Sequence, residues 1–221
     1  MSVFDILVTY REGILSGLLV TVQLCLIIWS AGLVVGSALG VVGAKWYRGV
    51  GIPSRVLSFV LSGVPVLAFL FWLHYPLQAV LNVVINPFYT AAAALSVVNI
   101  LAVADTVRGV LRDFPTQYIV AAQVSGLTQT QTLLHIQLPI VLRQVLPSLL
   151  QIQVSMLQAT LFASLISVDE IFRVAQRVNA VIYRPVEIYT ALALLFLSIC
   201  LPLNGLALWL RNRFTRDLSE R

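Results

Sequence analysis

The sequence predicts an all-helical integral membrane protein with five transmembrane helices. Hydrophobic residues make up 59% of the 221 residues and charged residues only 10%, whereas a soluble domain carries about 25% charged residues. The mean hydropathy is +0.94. The long apolar runs lack the alternation of apolar and polar residues that a transmembrane β-barrel requires. We therefore expect a single transmembrane domain over residues 1–221.

The first span is predicted over residues 13–44. At about 1.5 Å per residue, such a helix is longer than a hydrocarbon core of ~30 Å, so it should tilt or project beyond the bilayer. Gly32, Gly36 and Gly40 recur every four residues and share one helix face. In a membrane, a face of small residues lets helix backbones pack closely. We interpret this face as a packing surface.

The second and third spans are predicted from an uncharged run. Residues 56–104 contain no Asp, Glu, Lys or Arg, and this run is long enough for two spans and a turn. We place the second span at residues 53–80 and the third at residues 87–111, with Asn and Pro residues supplying the turn. Pro65 and Pro76 lie inside the second span and should kink or break it.

The third span ends with an acidic and a basic residue on one helix face. Asp105 and Arg108 are three residues apart near the predicted membrane boundary. Two interpretations are open: a local ion pair, or a functional site. A stand-alone secondary transporter or channel, driven by an ion gradient, would need an acidic residue deep in the membrane. Only Asp105 comes near that position, so it is the residue on which this alternative function depends.

The fourth span, predicted over residues 140–168, carries a continuous polar stripe. Polar residues facing lipid are costly, so the stripe must face protein or water. We interpret it as the lining of a transport pathway, with interhelical hydrogen bonding as the alternative. The stripe, spaced by four, three, four and three residues, consists of Gln144, Ser148, Gln151, Ser155 and Gln158.

The fifth span is predicted over residues 186–210, after a charged loop at residues 169–187 that could form a short outer helix. The distribution of basic residues predicts the orientation, because cytoplasmic loops collect Lys and Arg. With the N-terminus outside and the C-terminus cytoplasmic, four basic residues lie outside: Arg11, Arg173, Arg177 and Arg184. The other ten lie inside: Lys45, Arg48, Arg55, Arg108, Arg112, Arg143, Arg211, Arg213, Arg216 and Arg221.

The sequence offers little for catalysis or metal binding. It contains no P-loop, no His/Cys metal spacing and no Gly-x-Ser-x-Gly motif. We therefore expect no catalytic residue, no metal site and no cofactor in this chain, and the few acids and bases in the spans disfavour an intramembrane enzyme. The net charge of +5 is accounted for by cytoplasmic loops, so we expect no nucleic-acid partner. Uphill transport would need energy from a partner or an ion gradient.

Residues 115–139 form the only long polar segment between two spans, and they are predicted to form a helix, a glycine turn and a second helix. Gly126 suits the left-handed position at the end of the first helix. Thr128 is predicted to cap the second helix, with Gln131 as its capping-box partner. That helix is predicted to stop just before Pro139, which has no N–H to donate and disfavours the α conformation in the preceding residue.

This segment resembles the EAA loop of ABC importer permeases, which docks into the ATPase subunit. The family pattern is Glu-Ala-Ala, three residues, Gly, nine residues, then Ile-x-Leu-Pro. The residues in register are Ala121, Ala122, Gly126, Ile136, Leu138 and Pro139. Val120 stands in place of the glutamate. The resemblance implies that the ATPase contacts Ala121, Ala122, Gln123, Ser125 and Gly126.

Residues 13–213 resemble a permease subunit of the polar amino acid importers, the histidine/glutamine type. Five motifs occur in the family's order: Ser16-Gly17-Leu18-Leu19-Val20-Thr21, Ser62-Gly63-Val64-Pro65, Asp105-Thr106-Val107-Arg108-Gly109, Gln158-Ala159-Thr160-Leu161 and Val168-Asp169-Glu170-Ile171. The family reads Arg-Gly-Thr-Pro at the second and Lys-Asp-Thr-Ser at the fourth. Ser62, Gln158 and Val120 each replace a charged residue of the family.

The resemblance implies the fold of a type I ABC importer permease in a bacterial inner membrane. It implies two P-loop ATPase subunits that bind ATP and Mg, a solute-binding protein, and a second permease that is either identical or related. The transported solute would be a polar amino acid, a related small amine or an opine-like compound. Our candidate pathway residues are Gln151, Ser155 and Gln158, with Ser62 and Asp105 as further candidates.

Overall fold

The computed structural model describes residues 3–219, with the side chains of residues 5–214. All regular elements in the described part of the chain are helical, which confirms the predicted fold class. The α-helices are α1 (Val3–Thr9), α2 (Arg11–Ala31), α3 (Ser37–Lys45), α4 (Ile52–Ser62), α5 (Val66–His74), α6 (Pro76–Leu81), α7 (Pro87–Arg112), α8 (Thr116–Val124), α9 (Gln129–Thr132), α10 (Leu138–Ala159), α11 (Ile171–Ile182) and α12 (Pro185–Ser219). Three π turns (Gly32–Gly36, Tyr47–Gly51 and Leu133–Gln137) and a 3₁₀ segment (Thr160–Ile166) join some of them.

Four of the described helical stretches are long and apolar enough to cross a membrane. They are span 1 (Arg11–Lys45), span 3 (Pro87–Arg112), span 4 (Gln129–Ile166) and span 5 (Pro185–Phe214). A bent pair of segments, Tyr47–Ser62 and Val66–Leu81, forms a fifth candidate, span 2.

The break in span 2 falls at the predicted proline. The two halves of the span are bent by 96°, and Pro65 adopts an extended conformation with ψ of 132° directly before α5. A proline lacks an N–H to continue the helical ladder and disfavours the α conformation in the residue before it, so the helix stops here. Pro76, by contrast, lies at the first turn of α6, where its missing N–H is tolerated.

One boundary prediction is wrong: the second helix of the loop does not stop before Pro139. Instead α9, the π turn Leu133–Gln137 and α10 form one continuous helix that begins at Gln129. Pro139 lies in the first turn of α10, directly after the π turn. A π turn shifts the hydrogen-bond register by one residue, which accommodates a residue without an N–H. The polar loop is therefore joined to span 4 without a flexible link.

The glycine face of span 1 is a packing surface, as predicted, and the helix that it contacts is span 3. A Cβ atom built on Gly36 would lie 2.7 Å from the carbonyl oxygen of Ile100, and one on Gly40 would lie 2.8 Å from that of Ala104. Atoms at these distances overlap, so only glycine permits this approach of the two backbones.

A buried amide pair, which sequence reasoning missed, ties spans 1, 3 and 4 together. Asn99 Nδ2 donates to the carbonyl oxygen of Ile28 (2.8 Å) and to Gln153 Oε1 (3.0 Å). Trp29 Nε1 donates to the carbonyl oxygen of Gln153 (3.0 Å). A Cβ on Gly32 would lie 2.2 Å from Asn99 Nδ2. The missing side chain at Gly32 is thus what makes room for the amide.

Candidate functional site

The predicted polar stripe of span 4 lies at the surface of the chain. Ser148, Gln151, Ser155 and Gln158 are exposed and Gln144 is half-buried, whereas the opposite face of α10 is buried. Ser155 Oγ donates to the carbonyl oxygen of Gln151 within its own helix (3.1 Å), and Gln158 Nε2 lies 3.9 Å from Cys200 Sγ of span 5. Few side chains of the stripe therefore form hydrogen bonds to other helices of this chain. Because such residues are costly in lipid, water or another subunit must cover this face.

One end of the stripe opens into a groove between spans 4 and 5 with a volume of about 200 Å³. Gln151 lines this groove, and two arginines that were not singled out from the sequence, Arg143 and Arg211, lie beside it. The groove is lined by Arg143, Gln144, Pro147, Ser148, Gln151, Ala207, Arg211 and Phe214. A polar solute that follows the stripe would meet these guanidinium groups at its end.

Ser62, one of the two further pathway candidates, lies at the break of span 2. Ser62 is exposed at the end of α4, and its Oγ donates to the carbonyl oxygen of Phe59 (2.8 Å). No described hydrogen bond joins it to the stripe. Its exposure beside the break leaves it accessible from outside the chain.

Asp105, the other candidate, belongs to an ion-pair network between spans 2 and 3. Asp105 pairs with Arg108 and accepts a hydrogen bond from Ser58 Oγ. Arg108 is only 4% exposed and donates to Ser54 Oγ (2.8 Å). The local ion pair is therefore observed, and the functional role of Asp105 stays a prediction. The two serines are four residues apart and so share a face of α4, a signal that sequence reasoning missed.

The predicted turn of the polar loop has the expected geometry. Gly126 has a φ of +75°, the left-handed conformation predicted for it. Thr128 and Gln131 form the capping box: Gln131 N donates to Thr128 Oγ1 (3.3 Å) and Thr128 N donates to Gln131 Oε1 (2.9 Å). Residues 116–132 therefore form two short helices joined by a sharp turn, which we call the elbow.

The elbow presents most of its candidate contact residues outward. Ala121, Gln123, Ser125 and Gly126 are exposed, whereas Ala122 is only 2% exposed and packs inward. Val124, which sequence reasoning missed, is 85% exposed, the largest exposed fraction of an apolar side chain on the elbow. Val120, one helical turn earlier on the same face, is 56% exposed, so the elbow presents a small apolar patch. The inward position of Ala122 suits it to packing and not to direct contact.

Glu170 is buried at the start of α11, the helix between spans 4 and 5. Its Oε1 and Oε2 accept from the backbone N–H groups of Arg173 and Phe172 (2.9 Å each). The next residue, Ile171, donates its N–H to Thr21 Oγ1 of span 1 (3.2 Å). Burial raises the pKa of Glu170 to about 7, although both N–H groups and the charge of Arg173 oppose the shift. This carboxyl thus anchors α11 and is easier to protonate than an ordinary glutamate.

We predict that Glu170 makes the stability of the protein depend on pH. A carboxyl whose pKa is raised in the folded state stabilises the fold fully below its ordinary pKa and loses that contribution as pH rises through about 7. Between pH 5 and pH 8 the loss is about 2 kcal/mol. In Glu170→Gln, the difference between the melting temperatures at pH 5 and pH 8 should shrink. Glu187→Gln, at a half-buried carboxylate paired with Arg184, is the control, and an unchanged difference in Glu170→Gln would contradict the assignment.

Comparison with known families and proteins gives a consistent result. The sequence pattern of the binding-protein-dependent transport system inner membrane components matches residues 32–216. The chain is 29% identical to the octopine transport system permease protein OccM of Rhizobium radiobacter, over 95% of this chain and 92% of that protein. It is 27% identical to the histidine/lysine/arginine/ornithine transport system permease protein HisQ of Salmonella typhimurium (91% and 93%). It is 26% identical to the glutamine transport system permease protein GlnP of Escherichia coli (90% and 92%).

Two solved structures share the fold. A crystal structure of an amino acid ABC transporter with histidines superposes with a TM-score of 0.82 at 21% identity, over 94% of this chain and 96% of that one. An inward-facing conformation of the MetNI methionine ABC transporter superposes with a TM-score of 0.67 at 19% identity, over 95% and 97%. At these identities the likeness establishes the arrangement of the helices.

Proposed function

Because the chain belongs to the family of binding-protein-dependent transport system inner membrane components, we propose that it is the membrane-spanning permease subunit of an ATP-driven importer for a polar amino acid or a related small amine. The observation that carries the proposal is the exposed elbow, held in a defined shape by Gly126 and the capping box of Thr128. A loop with this geometry and an exposed Val124 is suited to docking a partner protein.

The continuous helix from the elbow into span 4 supplies a mechanical route from the docking site to the pathway. Span 4 runs from Gln129 to Ile166 without a break and carries the polar stripe. A displacement of the elbow therefore moves Gln151, Ser155 and Gln158 with it. When partner ATPase subunits close, the elbows are drawn together and the pathway turns outward. When the ATPase subunits open again, the pathway returns to facing inward. This chain contributes the continuous helix that transmits the movement and the polar stripe that lines the pathway. The partner subunits bind ATP and Mg.

The exposed surfaces of the chain support the proposed partners. The polar stripe needs a covering surface, which a second permease subunit, identical or related, supplies together with water. A solute-binding protein delivers the solute from outside. With the N-terminus outside, α11 and its arginines, Arg173 and Arg177, lie on that side. The ten basic residues on the other side support a cytoplasmic location for the elbow and the C-terminus.

The substrate class is proposed from the relatives and the chemistry of the stripe. The three named relatives serve octopine, a set of basic amino acids and glutamine, all of which are polar amino acids or derivatives of them. Ser62 and Gln158 are neutral where the resembling family carries Arg and Lys. Gln151, Ser155 and Gln158 therefore offer a neutral, hydrogen-bonding pathway. A polar solute can exchange its water for their hydroxyl and amide groups.

The proposal is tested by affinity purification of the tagged protein from mild detergent, followed by mass spectrometry. We expect a P-loop ATPase to copurify. In Gly126→Val the amount of copurified ATPase should fall roughly tenfold, because a β-branched residue in the left-handed region costs at least about 1–2 kcal/mol. No atom lies within 4 Å of a Cβ at this position, so the cost comes from the backbone alone.

Gly126→Asn is the matched control, because asparagine adopts the left-handed conformation readily. It should retain the ATPase nearly as well as the unmodified protein. If Gly126→Val retains the ATPase and supports transport normally, the elbow is not the docking element. If the protein purifies alone and its membranes move solute without ATP, the importer is excluded and transport driven by an ion gradient takes its place.

A further inference from the structure

A tyrosine ring lies beside two arginine side chains at an end of spans 2 and 3, and a third arginine is one helical turn away. The Cζ atom of Arg112 lies 3.6 Å from the centroid of the Tyr47 ring, and Arg55 also lies within interaction range of Tyr47. Arg108, one helical turn before Arg112, lies close enough to Arg55 and Arg112 to be repelled by both charges. We call Tyr47, Arg55, Arg108 and Arg112 the arginine cluster.

The arginine cluster carries more positive charge than its neighbours neutralise. Asp105 pairs with Arg108, but no carboxylate among the described side chains forms an ion pair with Arg55 or Arg112. The guanidinium groups of Arg55 and Arg112 therefore lie near the same tyrosine without an anionic partner. Their mutual repulsion makes this arrangement unfavourable until an anion binds. The planar guanidinium group binds phosphate through paired hydrogen bonds. The cluster thus has the composition of a phosphate site.

The arginine cluster also lies where a lipid headgroup can reach it. It is at the ends of two membrane-spanning segments, beside Trp46, which is 62% exposed. On α4, Ile52, Arg55 and Phe59 are spaced by three and four residues and share one face. Ile52 is 43% exposed and Phe59 is 79% exposed. A phosphate held at Arg55 would lie beside two exposed apolar side chains, Ile52 and Phe59, which can contact an acyl chain. We call these two side chains the apolar strip.

We propose that the arginine cluster binds the phosphate of an anionic membrane phospholipid. Basic pockets between transmembrane helices at a membrane surface recognise such headgroups. The apolar strip beside Arg55 favours a lipid over a soluble anion or a partner protein, because neither of those brings an acyl chain to Ile52 and Phe59. This site is separate from the polar stripe, and it does not depend on which solute is transported.

The experiment uses the full chain in mild detergent, titrated with phosphatidylglycerol or phosphatidylcholine and followed by native mass spectrometry. We expect phosphatidylglycerol, whose headgroup is anionic, to bind roughly thirty-fold more tightly than zwitterionic phosphatidylcholine, as the attraction of two arginine charges to a net negative headgroup predicts. Arg55→Gln with Arg112→Gln should reduce its affinity to that of phosphatidylcholine. Arg213→Gln removes an exposed arginine of span 5 and serves as the control, with an affinity within about twofold of the unmodified protein.

A milder variant keeps the test decisive if the double variant does not fold. Arg112→Lys retains the charge but loses the planar group that stacks on Tyr47, so phosphatidylglycerol should bind about fivefold more weakly. Unchanged affinity in both cluster variants, or an equal loss in Arg213→Gln, overturns the proposal. So does displacement of the lipid by inorganic phosphate at the same concentration, which assigns the cluster to soluble anions. Loss of a copurifying protein with lipid binding intact assigns it to a protein contact.

Discussion

Replacing Asp105 by alanine is expected to lower the free energy of unfolding by about 3–5 kcal/mol, because the substitution leaves a buried guanidinium group without its counter-charge. Arg108 is 4% exposed, and Asp105 is the carboxylate with which it pairs. Among the described side chains, Ser54 Oγ would be the one hydrogen-bond acceptor left to Arg108. A neutral hydroxyl offsets little of the cost of burying a charge. Denaturant unfolding of the purified protein, followed by circular dichroism, measures the change.

Asp169→Ala is the matched control for this experiment. Asp169 forms ion pairs with Arg173 and Arg177, but its side chain is 59% exposed, so its removal should cost less than about 1 kcal/mol. Adding Arg108→Met to the Asp105 variant should restore most of the lost stability, because it removes the uncompensated charge. If Asp105→Ala is no more harmful than Asp169→Ala, the network between spans 2 and 3 contributes nothing to stability. Asp105 would then be available for another role.

The second large effect is expected at the contact between spans 1 and 3. Gly36→Leu should destabilise the protein by about 3 kcal/mol, because inserted atoms force the two helices apart. The first added atom would lie 2.7 Å from the carbonyl oxygen of Ile100 and 2.9 Å from Cβ of Val103. Neither of these atoms is the flexible end of a side chain, so the strain cannot be relieved locally. The melting temperature in detergent is the measurement.

Gly205→Leu provides the comparison, since this glycine lies within span 5 and has no atom within 4 Å of a Cβ. Leucine is a better helix former than glycine, so this variant should be neutral or stabilised by up to about 1 kcal/mol. Equal melting temperatures for the two variants would show that the approach of span 1 to span 3 is not limited by side-chain volume. A loss confined to Gly36→Leu supports the packing described.

Features that depend on neighbouring residues were predictable from the sequence. The spans follow from the lengths of the apolar runs, and the break of span 2 follows from Pro65. The left-handed turn at Gly126 and the capping box of Thr128 and Gln131 also depend on residues a few positions apart. The rule for Pro139 failed for a related reason. The helix continues through Pro139 because a π turn precedes this residue, and no local sequence pattern predicted that turn.

Features that depend on residues distant in the chain were not predictable. Asn99 and Gln153 are 54 residues apart and form one amide pair, and Gln153 lies outside the periodic stripe. Ser54 and Arg108 are likewise 54 residues apart. Nothing in the local sequence of either partner indicates the other. The same holds for the arginine cluster, because Tyr47 and Arg55 belong to span 2 and Arg108 and Arg112 to span 3.

The helical membrane class, the approximate spans, the elbow and the residues that share each helix face can all be inferred from the sequence. Periodicity and turn chemistry are properties of short segments, so they can be inferred without knowing the fold. The partner of each face, by contrast, depends on how the helices pack together. The glycine face meets span 3, Ala122 turns inward, Asp105 neutralises Arg108, and the polar stripe remains at the surface. The physical reason is that a helix face is defined by local spacing, whereas its partner is selected by the packing of segments far apart in the chain.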